Sequence, residues 1–414
     1  MRKVDLPAFR PHLGRRQKLA AVWKILFLMS TLVGIVALAA LLLSIVNDSF
    51  GVVALQFDID PASLGQEGRP LKRLQPEELG EILTSRLSGG LIRRLESEKP
   101  LAERSREELY ELVIERVAKL RVIASWPLAA SLLQRGQILE WRAQNHPEAA
   151  LRFRSWVSWR FLLAAQASVP EKAGVRIAVL GSLWMVLIVV VVAFPLGVGA
   201  AIYLEEYARE NFFTRLLQLN IYNLAGVPSI IYGILGLAVF VRLLVGLTSG
   251  DAFAVGDSST ANGRTILSGG LTLALLVLPL VIINSQEAIR AVPRGLRYSS
   301  YALGATKWQT IWHHVLPGSL DRILTGTILA VSRAIGETAP LVVVGASTFV
   351  ALDPSSIFSR FTTLPIQIYQ WTARPQAEFR NVAAAAIIVL LVLLLAMNTA
   401  AILLRDRISR SRRE

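Results

Sequence analysis

Arg333 stands inside an apolar run, about Ile323 to Val350, whose one other charge is Glu337 four residues on, with Thr338 beside it. A guanidinium at bilayer depth is costly unless paired or wetted, which makes it a functional candidate by default. Its planar fork of donors matches the oxygens of an oxyanion. Arg333 is therefore expected to face a pathway and attract an anion. A blander reading stands beside this one: residues four apart meet on one helix face, so Arg333 and Glu337 form a self-neutralised pair that only permits burial. An apolar pair would fill that place at lower cost, which favours the functional reading. Gly336 and Pro340 bracket Glu337-Thr338-Ala339, and a local break there would offer backbone N–H groups and the Thr338 hydroxyl to an anion.

Other chemistries find no purchase. The 414 residues include no cysteine, so disulfides, thiolate zinc and redox motifs are excluded. No G-x-x-x-x-G-K-[ST] loop is present to hold a nucleotide. His313-His314 has no carboxylate at metal-protease spacing, and a metal site is not expected there. No Ser/His/Asp or Cys/His cluster falls at matching depths, so an enzyme is disfavoured.

The elements that position Arg333 are read from hydropathy. The chain is 53% hydrophobic and 18% charged, more apolar and less charged than soluble chains, and the excess lies in long uncharged runs. Ile25 to Val46 is 22 residues without a charge, about 33 Å of helix, which spans the hydrocarbon and exceeds a signal-peptide core. Five more runs follow: Ile177 to Leu204, about Ile221 to Val245, Leu267 to Asn284, Ile323 to Val350 and Val382 to Leu404. Helix breakers recur at depth: Pro195 with Gly197 and Gly199, Gly226 with Pro228, Pro279, and Gly336 with Pro340. They fit either a bundle around a pathway or close helix packing.

The net charge of +14 sits where membrane topology puts it. Arg2, Lys3, Arg10, Arg15, Arg16, Lys18 and Lys24 precede the first run, and Arg405, Arg407, Arg410, Arg412 and Arg413 follow the last. This places both termini in the cytoplasm and argues against nucleic acid as the partner. Expected segments are a basic tail at 1–24, a first span at 25–46, a helical extracytoplasmic insert at 47–174, a membrane domain at 175–404 with five more spans, and a basic tail at 405–414. Within the insert, helices are expected near Pro76–Glu98, interrupted at Gly89-Gly90, and Ser105–Arg121. Gly246–Thr265 reads as an outside loop. The fold class is all-α and membrane-embedded.

The connection at about 286–320, between the fourth and fifth spans, is too long for a tight turn. Tyr301, Trp308, Ile311, Trp312 and Val315 recur near helical spacing and predict an aromatic stripe for the membrane surface or a partner's groove. Tyr298-Ser299-Ser300-Tyr301-Ala302-Leu303-Gly304, followed by Leu316-Pro317, resembles the cytoplasmic signature loop of binding-protein-dependent ABC importer permeases. Gly304 and Leu316-Pro317 match it; Tyr298, Ser299 and Ser300 replace its Glu-Ala-Ala, and His314 replaces its Ile. Asn223 to Ser229, Tyr301 to Trp308 and Ser332-Arg333-Ala334-Ile335-Gly336-Glu337-Thr338-Ala339-Pro340-Leu341 narrow the likeness to phosphate permeases of the PstA type, over about Arg154 to the end.

That resemblance implies the six-span fold of type I ABC importer permeases in the bacterial inner membrane, and transport of inorganic phosphate. Sulfate or molybdate transport, or a sensing relay to a membrane kinase, are the alternatives. The implied partners are a second, homologous permease, an ATPase dimer carrying ATP and Mg, and an extracytoplasmic phosphate-binding protein. This chain would bind no cofactor of its own. Tyr301, Gly304, Trp308, Ile311, Trp312, Leu316 and Pro317 would couple to the ATPase, and Arg333, Glu337 and Thr338 would line the substrate pathway.

Overall fold

A computed structural model describes residues 13–65, 69–253, 262–346, 349–350 and 352–410. Arg2, Lys3, Arg10, Arg412 and Arg413 of the basic tails, and the middle of the Gly246–Thr265 loop, lie outside the described residues.

Helix α1 (Leu13–Ser49) covers the first apolar run without a break. It stops where polar residues arrive, and the Ser49 hydroxyl turns back onto the Ile45 carbonyl at 2.7 Å. The chain passes directly into strand β1 (Phe50–Phe57). The insert then forms α2 (Pro76–Arg86), α3 (Gly89–Glu98) and α4 (Arg106–Leu112). The expected interruption falls at Leu87-Ser88 rather than at Gly89-Gly90, which opens α3. Reciprocal caps start α2 (Gln75 with Glu78) and α4 (Ser105 with Glu108), each satisfying backbone N–H groups that a first turn leaves unpaired. Leu64, Leu74, Leu79, Leu83, Leu109 and Val113 give these helices a core of their own.

The insert also holds a sheet that the helical expectation missed. β2 (Leu120–Pro127) and β3 (Ala150–Ser155) flank β1, both antiparallel to it, in the order β2-β1-β3. Val52 faces Trp126 on one side and Phe153 on the other. The expected helix Ser105–Arg121 ends early for this reason: its last residues become the start of β2, after Lys119 turns the chain at φ 47°.

The apolar half begins with α5 (Arg176–Ile202), which continues as a wide turn through Tyr203–Tyr207. It is followed by α6 (Phe212–Ala225), α7 (Ser229–Gly236), α8 (Ile266–Arg290), α9 (Arg294–Ala302), α10 (Lys307–Thr310), α11 (Leu316–Gly336), α12 (Ala339–Val344), α13 (Leu364–Thr372) and α14 (Glu378–Arg410). Among the described residues, four helices are long and apolar enough to cross a membrane: Arg16–Ser49, Arg176–Tyr207, Ile266–Arg290 and Glu378–Ile408.

Two expected spans are not single helices. The run 221–245 belongs to a pair, Phe212–Ala225 and Ser229–Leu243, bent by 105°. Pro228 explains the bend, since it lacks an N–H and drives the residue before it out of helical geometry. The run 323–350 starts earlier, at Leu316, and breaks after Gly336, where Glu337 is extended (φ −76°, ψ 118°) before α12 begins.

Helix α8 is the hub, with two-thirds (67%) of its apolar window buried. Small residues let its neighbours close in. A Cβ on Gly197 of α5 would meet Val281 at 2.6 Å, and one on Gly326 of α11 would meet Asn284 at 2.6 Å. Gly233 of α7 is seated as tightly on Pro340 of α12, at 2.7 Å. Helix packing is thus the reason for those glycines, whereas Gly199 and Gly336 face open space. A second core joins sheet to helices: Val53 and Val122 lie with Trp156, Phe161, Trp371 and Phe379. Asn381 of α14 seals the join, donating to the Asp48 carbonyl at 2.6 Å and pairing with Ser125 at 3.3 Å.

Candidate functional site

Two regions draw the predicted residues together. The first is the connection between α8 and α11. Helix α8 ends at Arg290 and α9 follows Pro293, whose missing N–H costs nothing at a helix start. Gly304, at φ +82°, occupies the left-handed region that favours glycine, and its N–H closes onto Tyr301 O at 2.9 Å. Thr306 and Gln309 then cap α10 reciprocally. Inside the elbow, Ser300 and Thr310 share a hydrogen bond of 2.9 Å, both buried. The serine that departs from the signature's alanine is satisfied in this way.

The predicted stripe divides in two. Trp308 and Trp312 are exposed by 54% and 56% and stack with ring centroids 5.5 Å apart. Leu303, Pro317 and, to a lesser degree, Tyr301 are exposed in the same connection. Burial, and after it the charge of Glu206, push the Tyr301 phenol up from its ordinary value. Ile311 does not join this face. It is fully buried, as is Val315, because the wide turn Ile311–Val315 rotates both inward. Leu316 is partly buried and packs with Val315, Ile323, Ala288 and Ile289.

Ion pairs that the sequence reading missed clamp this connection to the end of α5. Arg290 grips Glu205 with two bonds, 2.8 and 2.7 Å, while Gln286 reaches the same carboxylate at 3.0 Å. Arg297 donates to Glu206 at 3.0 and 2.8 Å and also holds the Ile289 and Val292 carbonyls. The charges were visible in sequence, but the partners lie more than 80 residues apart.

The second region is the break between α11 and α12. Arg333 Nε meets Glu337 Oε1 at 3.3 Å, with side-chain exposures of 51% and 18%. The pair expected from the spacing therefore forms. The contact runs through Nε, however, so the paired terminal nitrogens that grip an oxyanion stay off it. Arg333 stands 17 residues from the start of α11, about 25 Å along it, near the far end of the helix rather than its middle. Thr338 leads into α12 and its side chain makes no capping bond. The structure brings Arg333, Glu337 and Thr338 to one break.

Residues 193–414 match the family described as binding-protein-dependent transport system inner membrane component. The chain belongs to this family. Among the permease's relatives, the probable ABC transporter permease protein YqgI of Bacillus subtilis is 30% identical over 226 residues, 52% of this chain and 71% of the relative. The phosphate transport system permease protein PstA of Mycobacterium leprae is 36% identical over 235 residues, 55% of this chain and 68% of the relative. The PstA homolog of Mycoplasma pneumoniae is 38% identical over 163 residues, but this chain spans only 24% of that protein. The resemblance to PstA-type permeases is thereby borne out, and the multi-pass inner-membrane reading with it. The matched residues begin inside α5, so α1 and the insert stand apart from the family's common part.

Proposed function

We propose that the chain is the permease subunit of an ATP-driven importer that moves inorganic phosphate into the cytoplasm. Relatives that carry the PstA name support phosphate as the cargo. The observation that carries the reading is Arg333, whose guanidinium is half exposed beside a helix break with its fork open. Its single-atom contact with Glu337 neutralises the charge enough for burial and leaves the grip weak enough for release. The open face of α11 meets a second, homologous permease, and the two enclose the route. Trp308 and Trp312 dock into an ATPase that holds the ATP and Mg, while the Glu205 and Glu206 clamps pass its motion to α5. Both termini are cytoplasmic, and the insert lies outside, where a binding protein delivers phosphate.

The test uses the full complex in vesicles with radiolabelled orthophosphate. Label is expected to accumulate only while ATP is hydrolysed, with sulfate and molybdate failing to compete. Arg333→Gln is expected to slow uptake about 10- to 100-fold, the worth of one charge-assisted bond, with assembly intact. Unchanged uptake in that variant overturns the assignment of Arg333.

A further inference from the structure

Arg333 is one end of a stripe. Helix α11 buries Ile323, Gly326, Thr327, Ala330 and Ala334 against its neighbours. Its other side, Arg322, Thr325, Leu329 and Arg333, is open. Eleven residues separate Arg322 from Arg333. At about 100° and about 1.5 Å per residue, that is three turns plus about 20°, so the two arginines share one face about 16 Å apart. A third guanidinium reaches the lower end. Arg405 of α14 donates to the Thr325 hydroxyl at 2.9 Å while Asp406 holds its other side at 2.7 and 3.0 Å. Between the two charged ends stands Leu329, 66% exposed and four residues from both Thr325 and Arg333.

We propose that Arg322, with Arg405, forms a second binding station for a tetrahedral oxyanion at the Leu316 end of α11, and that Leu329 is the dry step between the stations. The inference rests on Arg333 lining the phosphate route. A charged stripe of this kind is expensive against lipid and is sustained where the face borders water or another subunit. A second positive site further along lowers the far side of the barrier, and binding at several sites lets an ion both enter and leave. An apolar side chain between them keeps the path free of continuous water, so the anion crosses only when the helices move.

Vesicles containing the full complex separate the possibilities. ATP-driven uptake of labelled phosphate by the unaltered complex comes first, and its absence overturns the importer reading together with the station. Given that uptake, Arg322→Gln is expected to lower it about tenfold while ATP hydrolysis continues, with Arg322→Lys restoring most of it. Arg405→Gln serves as the second variant should Arg322→Gln fail to assemble, with a smaller loss expected because Asp406 already shares that charge. Leu329→Ala is expected to let preloaded phosphate leak out without ATP. Arg322→Gln vesicles that take up phosphate at the unaltered rate overturn the station, and Leu329→Ala vesicles as tight as the parent overturn the dry step. Loss of uptake that Arg322→Lys does not restore also counts against an electrostatic role.

Discussion

Replacing Trp308 and Trp312 together with Ala is expected to leave the permease in the membrane and strip it of its ATPase. The two rings are stacked and more than half exposed on an elbow that Gly304 and the Thr306–Gln309 cap hold rigid. Exposed, pre-ordered aromatics bind at low entropic cost, and central ones commonly contribute about 2 kcal/mol or more each at interfaces. Losing both should weaken ATPase binding by about a thousandfold, since every 1.4 kcal/mol is tenfold. Co-purification at micromolar concentrations reads this directly. Ile311→Ala is the contrast. Ile311 is fully buried, so its truncation is expected to cost about 2–5 kcal/mol of stability with docking affinity kept in whatever folds. An ATPase that stays bound to the double-tryptophan variant would place the docking face elsewhere.

Glu206→Gln should uncouple the machine. Glu206 and Arg297 are exposed by only 7% and 14%, so the substitution strands a largely buried guanidinium. Breaking such a pair from one side costs about 3–5 kcal/mol. The expected result is a lowered midpoint of thermal unfolding, with ATP hydrolysis retained and uptake lost, because the connection no longer moves α5. Glu205→Gln is expected to do less, since Arg290 is 53% exposed and solvent compensates its charge. Adding Arg297→Met to Glu206→Gln should recover stability while leaving uptake low, which separates the mechanical role from the structural one. Full uptake in the single Glu206→Gln variant would refute the clamp.

Hydropathy made the uninterrupted helices legible. The runs at 25–46 and 382–404 became α1 and α14 because length and absence of charge are local properties. The bend at Gly226-Val227-Pro228 was marked by its breakers, but its angle of 105° depends on what α7 packs against, which no window reports. The sheet escaped for a similar reason. Its strands are six to eight residues long, and β1 pairs with segments about 70 and 100 residues away, so nothing near Phe50 in the chain betrays its partners. At the site, the four-residue spacing of Arg333 and Glu337 disclosed their pair. The wide turn that sends Ile311 inward left no mark, because helical periodicity assumes a turn of constant width.

The join between α1, β1 and α14 has a mechanical consequence. With no slack residue between Ser49 and Phe50, and with Asn381 pinning Asp48 and Ser125, the first and last long helices form a single strut at that end. Whatever rocking carries cargo across, these two swing as one lever arm. The bending falls to the pre-broken hinges at Pro228 and Glu337, so a chemical crosslink between α1 and α14 near this join should leave turnover untouched, whereas one bridging α6 to α7 across Pro228, or α11 to α12 across Glu337, should freeze it.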